Sequence, residues 1–354
     1  MPSPFEPVTV GGLTLPHRIA MSPMTRSRAY GQLPSDLMAE YYAQRAGAAM
    51  IITEGTQPSA VGQGYLNTPG IHSAEQIAAW RKVTDAVHSR GGRIFLQLMH
   101  TGRVGHPSFL PEGLQHVGPS AVAADSQVFT GDGMQAMSDP AELSDEDIAA
   151  TVEDYAKAAA NAVEAGFDGV ELHGANGYLI HQFLSSNANR RTDRWGGSPE
   201  NRVRFAVEVA RAVADRIGPD RVGLRVSPGV TNNDIREDDP HDTYAALSDG
   251  IRPLGLAYLH VFEGPHRDIT LRLRKEFDGT FILNPFTPGS HTGPAELALL
   301  EDGTADILTF GANYLANPDL PERLAKGRPL NTPDPATFYG GDEKGYTDYP
   351  RHAD

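Results

Sequence analysis

Eight times along the chain a short apolar run is followed by an amphipathic stretch of helical period, and few architectures tolerate that pattern. The apolar runs cover residues 18–24, 48–54, 93–100, 169–172, 222–227, 257–263, 280–283 and 305–311. The helical stretches cover 34–47, 73–91, 144–166, 198–218, 242–254, 269–277, 294–301 and 318–327. Their ends carry the expected signals: Ser73 faces Gln76 as a capping box, and Gly47 and Gly166 stop their helices. Runs such as Ala48-Ala-Met-Ile-Ile-Thr-Glu54 are apolar without alternation, as in strands covered on both faces. Strand–helix alternation implies parallel strands, and eight units predict a closed (β/α)8 TIM barrel, one domain over residues 1–354. A doubly wound sheet would need a G-x-G-x-x-G turn after an early strand, and the sequence has none.

Composition narrows the function. At 40% hydrophobic and 21% charged residues, the chain has the make-up of a folded globular protein. A net charge of -15 argues against nucleic-acid or anionic-membrane partners. With no cysteine, disulfides, thiolate catalysis and cysteine-held metal centres are excluded. The start, MPSPFEPVTV, lacks a basic and apolar leader, and no apolar run nears the ~20 residues that span a bilayer; a cytoplasmic location is expected. No metal is expected either, because His72, His88, His106, His116, His181 and His241 are scattered singly. The partner is a small molecule, and the chain a monomer or homodimer.

Two segments fall outside the alternation. Residues 101–143, rich in Gly, Pro, Ser and Asp with strand-like pieces at 121–124 and 127–130, form a lid or binding loop over the barrel mouth. The C-terminal segment, residues 331–354, folds back over the barrel.

Chemistry concentrates at Asp168–Arg202, where the fourth strand runs out into His173, Asn176 and Tyr178. Donors converging at the carboxyl end of a strand suit an anionic oxygen, and a tyrosine beside them can deliver a proton. The other strand ends contribute Pro23, Met24, Thr25, Glu54, Gly55, Gln97, Arg225, His260, Glu263, Asn284 and Gly311. An arginine inside a barrel requires a negative partner. Glu54 or Glu171 could serve, as could a ligand that becomes anionic, such as a reduced isoalloxazine ring.

The segments MSPMTRSRA, IITEG, LQLMHTGR, GLRVSP, LANPDL and GYTDYP, and above all HGANGYLIHQFL with NRRTD and GGS-ENR behind it, resemble the old yellow enzyme family of flavin-dependent ene-reductases. The resemblance runs from about residue 5 to residue 350. It implies a TIM barrel with FMN at the strand ends, reduced by NADPH or NADH and reoxidised by an activated C=C bond. It further implies that Thr25, Gln97 and Arg225 hold the flavin ring, with the backbone at Pro23, Met24, Gly55 and Gly311 lining it. His173 and Asn176 would bind the substrate carbonyl oxygen, Tyr178 would protonate Cα, and Met99 and Tyr346 would shape the substrate pocket.

Two turns depart from the family pattern. After the seventh strand a glycine turn is replaced by Asn284-Pro-Phe-Thr-Pro288, and after the eighth Ala312 stands where relatives carry a phosphate-binding arginine. Pro285 offers no N–H and Ala312 no charge; Thr287, Ser290, His291 or a helix N-terminus are the available substitutes. Two other readings therefore stand beside the reductase. One is a flavin-free barrel using His173, Asn176 and Tyr178 for isomerisation or cyclisation, and the other is a non-catalytic binding protein.

Overall fold

Strands of two to six residues suffice for the barrel wall, because helices cover them outside and side chains fill them inside. The computed structural model describes residues 3–352. Its barrel strands are β1 Ile19–Met21, β2 Ile51–Ile52, β3 Ile94–Leu98, β4 Gly169–Gly174, β5 Val222–Val226, β6 Tyr258–Phe262, β7 Thr280–Asn284 and β8 Ile307–Phe310. Each pairs in parallel with its sequence neighbours, and β8 closes on β1. The (β/α)8 expectation holds.

The covering helices are α1 Asp36–Gln44, α2 Ala74–His88, α3 Asp145–Glu164, α4 Arg204–Ile217, α5 Pro240–Ile251, α6 Arg267–Glu276, α7 Ala298–Glu301 and α8 Leu320–Lys326. The Ser73–Gln76 capping box forms in both directions, satisfying backbone donors that α2 cannot satisfy itself. One long helix expected over 198–218 is instead a turn at Pro199–Arg202 followed by α4.

The N-terminal hairpin Val8–Val10 with Leu13–Leu15 went unread in the sequence. Its Val10 and Leu15 join Ala20, Met50, Ile52, Phe95, Tyr258, Ile282 and Ile307 in an apolar cluster of their own. Residues 121–124 are not a strand. The inserted segment instead forms a hairpin, Gln127–Phe129 against Met134–Ala136, and a two-residue ladder of Val117–Gly118 with Ala141–Glu142. Val104, Phe109, Ala124, Val128 and Met137 give it a small core that packs on Tyr65, Leu66 and Tyr178. The C-terminal segment does fold back: Arg26 donates to the carbonyls of Phe338 (2.9 Å) and Gly345 (2.8 Å).

Candidate active site

Parallel register sets the polar interior. Gln97 on β3 lies opposite Glu171 on β4, His173 opposite Arg225 on β5, and Arg225 opposite His260 on β6. Residues 171 and 173 share a face because the strand period is two. Gln97 donates to Glu171 at 2.8 Å, and His260 Nδ1 meets the other oxygen of Glu171 at 2.8 Å while its Nε2 meets Thr309 Oγ1 at 3.0 Å. Burial pushes the Glu171 carboxyl up, and His260, Arg225 and Gln97 together push it down by more, so it stays ionised. Glu171 is thus the internal counter-charge for Arg225 that the sequence left open between it and Glu54. Arg225 Nη2 donates to Asn284 Oδ1 (3.2 Å), and its Nε has no partner among the described residues.

Beyond β4 the chain turns sharply. Asn176 and Gly177 both take left-handed backbone, at φ 58° and 85°, and a Cβ at Gly177 would lie 2.5 Å from the Asn232 carbonyl. The turn is held by Asn176 N–H donating to Ser227 Oγ (2.9 Å) and Asn233 Nδ2 donating to the Asn176 carbonyl (2.8 Å). His173 is buried, and burial, reinforced by Arg225, His181 and His260, holds its pKa well below the ordinary value. It is therefore neutral. Its Nδ1 accepts the Ala175 N–H at 3.3 Å, which leaves the ring proton on Nε2 as a donor. Asn176 Oδ1 is buried without a partner among the described residues. The Tyr178 ring meets the His173 ring edge-on, with centroids 4.9 Å apart. Its hydroxyl is 3.1 Å from that of Tyr65. Burial first, then Tyr65, raise the Tyr178 pKa well above the phenol range, so it is a protonated donor at neutral pH.

These groups open into one cavity of about 750 Å³ at the carboxyl ends of the strands. Pro23, Met24, Thr25, Gln97, Met99, His173, Asn176, Tyr178, Arg225 and Gly311 all line it. Gly55 does not. A Cβ there would sit 2.5 Å from Met99 Sδ, so the glycine makes room for the methionine that does reach the cavity. Tyr346 does not either: it is 0% exposed, stacked on Tyr41 at 4.0 Å with Arg26 and Arg28 over its ring. Its place in the pocket is corrected by the course of the C-terminal segment, which brings Phe338, Tyr339 and Gly340 to the mouth instead. Tyr65, Leu66, Phe129, Met134 and Phe262 complete the apolar wall and were not singled out by motif. For Phe129 and Met134 the available signal was their exposed apolar character within the insertion; Tyr65, Leu66 and Phe262 carried none.

The lining of the cavity suits a flavin. Thr25 and Gln97 supply polar edges, the orphaned Arg225 Nε supplies a cation, and Met24 and Phe262 supply apolar surface. The loops after β7 and β8, where barrels commonly seat a phosphate, are different. They contain no lysine or arginine. Glu263 takes the Phe286 N–H (3.1 Å) and Glu296 the Gly293 N–H (2.7 Å). Arg267, the nearby cation, already donates through Nη1 to both oxygens of Glu263, at 2.7 and 2.9 Å.

Residues 3–331 match the NADH:flavin oxidoreductase / NADH oxidase family. The chain is 42% identical to 12-oxophytodienoate reductase 1 of Oryza sativa subsp. japonica, across 98% of this chain and 92% of that one. It is 43% identical to a probable flavin mononucleotide-dependent alkene reductase of Leishmania infantum, across 98% and 96%. Among solved structures, morphinone reductase superposes with a TM-score of 0.93 at 44% identity, covering 99% of this chain and 96% of the other. An old yellow enzyme homologue from Zymomonas mobilis gives 0.94 at 38% identity, with 99% of both chains covered. Strand order, cavity and sequence agree: the chain belongs to the NADH:flavin oxidoreductase / NADH oxidase family, and within it to the old yellow enzymes.

Proposed function

We propose that this chain is an FMN-dependent ene-reductase that draws hydride from NAD(P)H and reduces the activated C=C bond of an α,β-unsaturated carbonyl compound. The observation that carries this reading is a protonated phenol beside a neutral imidazole donor at the rim of a cavity with an arginine in its wall. Relatives named as reductases of an alkene, an oxophytodienoate and morphinone support the substrate class. A flavin-free isomerase or cyclase draws no such support.

When bound in the cavity, FMN would supply the hydride chemistry that couples a nicotinamide to an activated alkene. Thr25, Gln97 and Arg225, with the backbone at Pro23, Met24 and Gly311, all line the cavity and would hold the flavin ring there. Gly55 contributes indirectly, through Met99. The Nε2–H of His173 and the Asn176 amide grip the substrate carbonyl oxygen and strengthen their hold as charge collects there. Tyr178 gives its proton to Cα, and Tyr65 and Asn233 keep the phenol oriented. The hairpin of the insertion and the C-terminal segment lie over the mouth and limit water entry, which favours these charge-dependent contacts.

Isotope placement tests the reading. The purified protein should carry a flavin band near ~450 nm. Turnover of a simple cyclic enone with deuterated nicotinamide should place deuterium at Cβ, and turnover in D2O should place it at Cα. A colourless protein that FMN cannot saturate, or solvent deuterium at both carbons, overturns the assignment.

A further inference from the structure

We propose that His241, His266 and Asp268 form a surface site for one divalent cation of the zinc(II) class, spanning the starts of α5 and α6. The sequence hides the trio, because His241 and His266 lie on different βα units and neither spacing resembles a metal motif. The fold joins them. His241 is the second residue of α5, His266 immediately precedes α6, and Asp268 is in the first turn of α6. One ligand atom from each lies within 4.8 Å of the other two, and His241 Nε2 is 3.4 Å from Asp268 Oδ2. The imidazole rings meet edge-on at 75°, with centroids 6.0 Å apart.

Zinc bound tetrahedrally at ~2.0–2.2 Å from nitrogen and oxygen spaces its ligand atoms about 3.3 Å apart. The His241–Asp268 pair already has that spacing. The two sides to His266 close by rotamer adjustment of His241 and Asp268, both of which are more than half exposed. His266 is the fixed member. Its ring lies against Gly229, where a Cβ would collide with the imidazole, and Gly229 is itself left-handed at φ 71°. Arg272 of α6 donates to the His241 carbonyl at 2.6 Å, so the two helix starts are tied before any ion arrives.

The donor set decides the class of ion. Two imidazoles and one carboxylate suit zinc, nickel, cobalt or copper, whereas magnesium and calcium select oxygen shells. Arg267 stands between two of the ligands in sequence, and its Nη1 is engaged by both carboxylate oxygens of Glu263. The chain's charge of -15 favours cation approach. An ion here would pin the loop from Glu263 to His266 that leads out of β6 toward the barrel mouth.

Calorimetric titration of ZnCl2 into the full, tag-free, chelator-stripped chain tests this directly. One saturable site is expected, at least tenfold weaker in His241→Ala and in His266→Ala, with zinc raising the melting temperature only where the trio is intact. MgCl2 should give no saturable heat. Because His241 and Asp268 face solvent, His241→Ala and Asp268→Asn should retain the native circular dichroism. No saturable zinc site, or an affinity unchanged in His241→Ala and Asp268→Asn, would place any bound ion elsewhere and overturn the proposal.

Discussion

Replacing Tyr178 by Phe separates the proton donor from everything else in the cavity. The substitution removes one hydroxyl, which lies 3.1 Å from that of Tyr65 and also meets Asn233. The Tyr65 hydroxyl still accepts a hydrogen bond from Asn233. A neutral hydrogen bond contributes about 1 kcal/mol to folding, and the melting temperature should fall little. The catalytic loss is larger. General acid catalysis contributes on the order of 10²–10⁴ in rate, about 3–5 kcal/mol in the barrier. That loss should fall only on alkene reduction, because hydride transfer from NADPH consumes no proton from the phenol. Anaerobic stopped-flow absorbance resolves the two half-reactions. Alkene reduction should slow by at least about 10² while reduction by NADPH stays within about threefold. Equal slowing of both would mean that Tyr178 positions the ring and does not deliver the proton.

Three further outcomes are expected. His173 is held neutral by burial, so alkene reduction should be independent of pH between about 6 and 8, and His173→Ala should slow it by about 10²–10³; a rate titrating near pH 6.5 would refute the neutral-donor role. Because the loops after β7 and β8 lack a side-chain cation, FMN and riboflavin should bind with dissociation constants within about tenfold of each other; quenching of flavin fluorescence measures both, and a preference for FMN above about 100-fold would refute it. Burial pushes the Glu54 carboxyl up to about 7 from its ordinary 4.5. The folded chain thus binds an extra proton in that interval, so this group's contribution to stability is present below about pH 4.5 and lost as pH rises through about 7. Glu54→Gln should therefore gain on the wild type by about 3 kcal/mol between pH 4 and pH 8 in urea unfolding, and a constant difference would contradict this.

The sequence alone determined the barrel and most of its mouth. Eight strand–helix units are written in local periodicity, and carboxyl ends of parallel strands are fixed once the strands are, so local pattern suffices to bring Thr25, Gln97, His173, Asn176, Tyr178 and Arg225 to one mouth. What the sequence could not carry was contact between residues whose proximity depends on how long loops return. Tyr65 meets Tyr178 across 113 positions, and Tyr346 is drawn into a stack with Tyr41 by arginines near the other end of the chain. Gly55 was read as a wall of the ring site, yet side-chain packing put Met99 in front of it. His241 and His266 were separate surface histidines until α5 and α6 lay side by side. Local pattern records where a chain turns and which face it buries. Only closure of the barrel decides which distant side chains share a few ångströms, because that follows from the packing of all eight units at once.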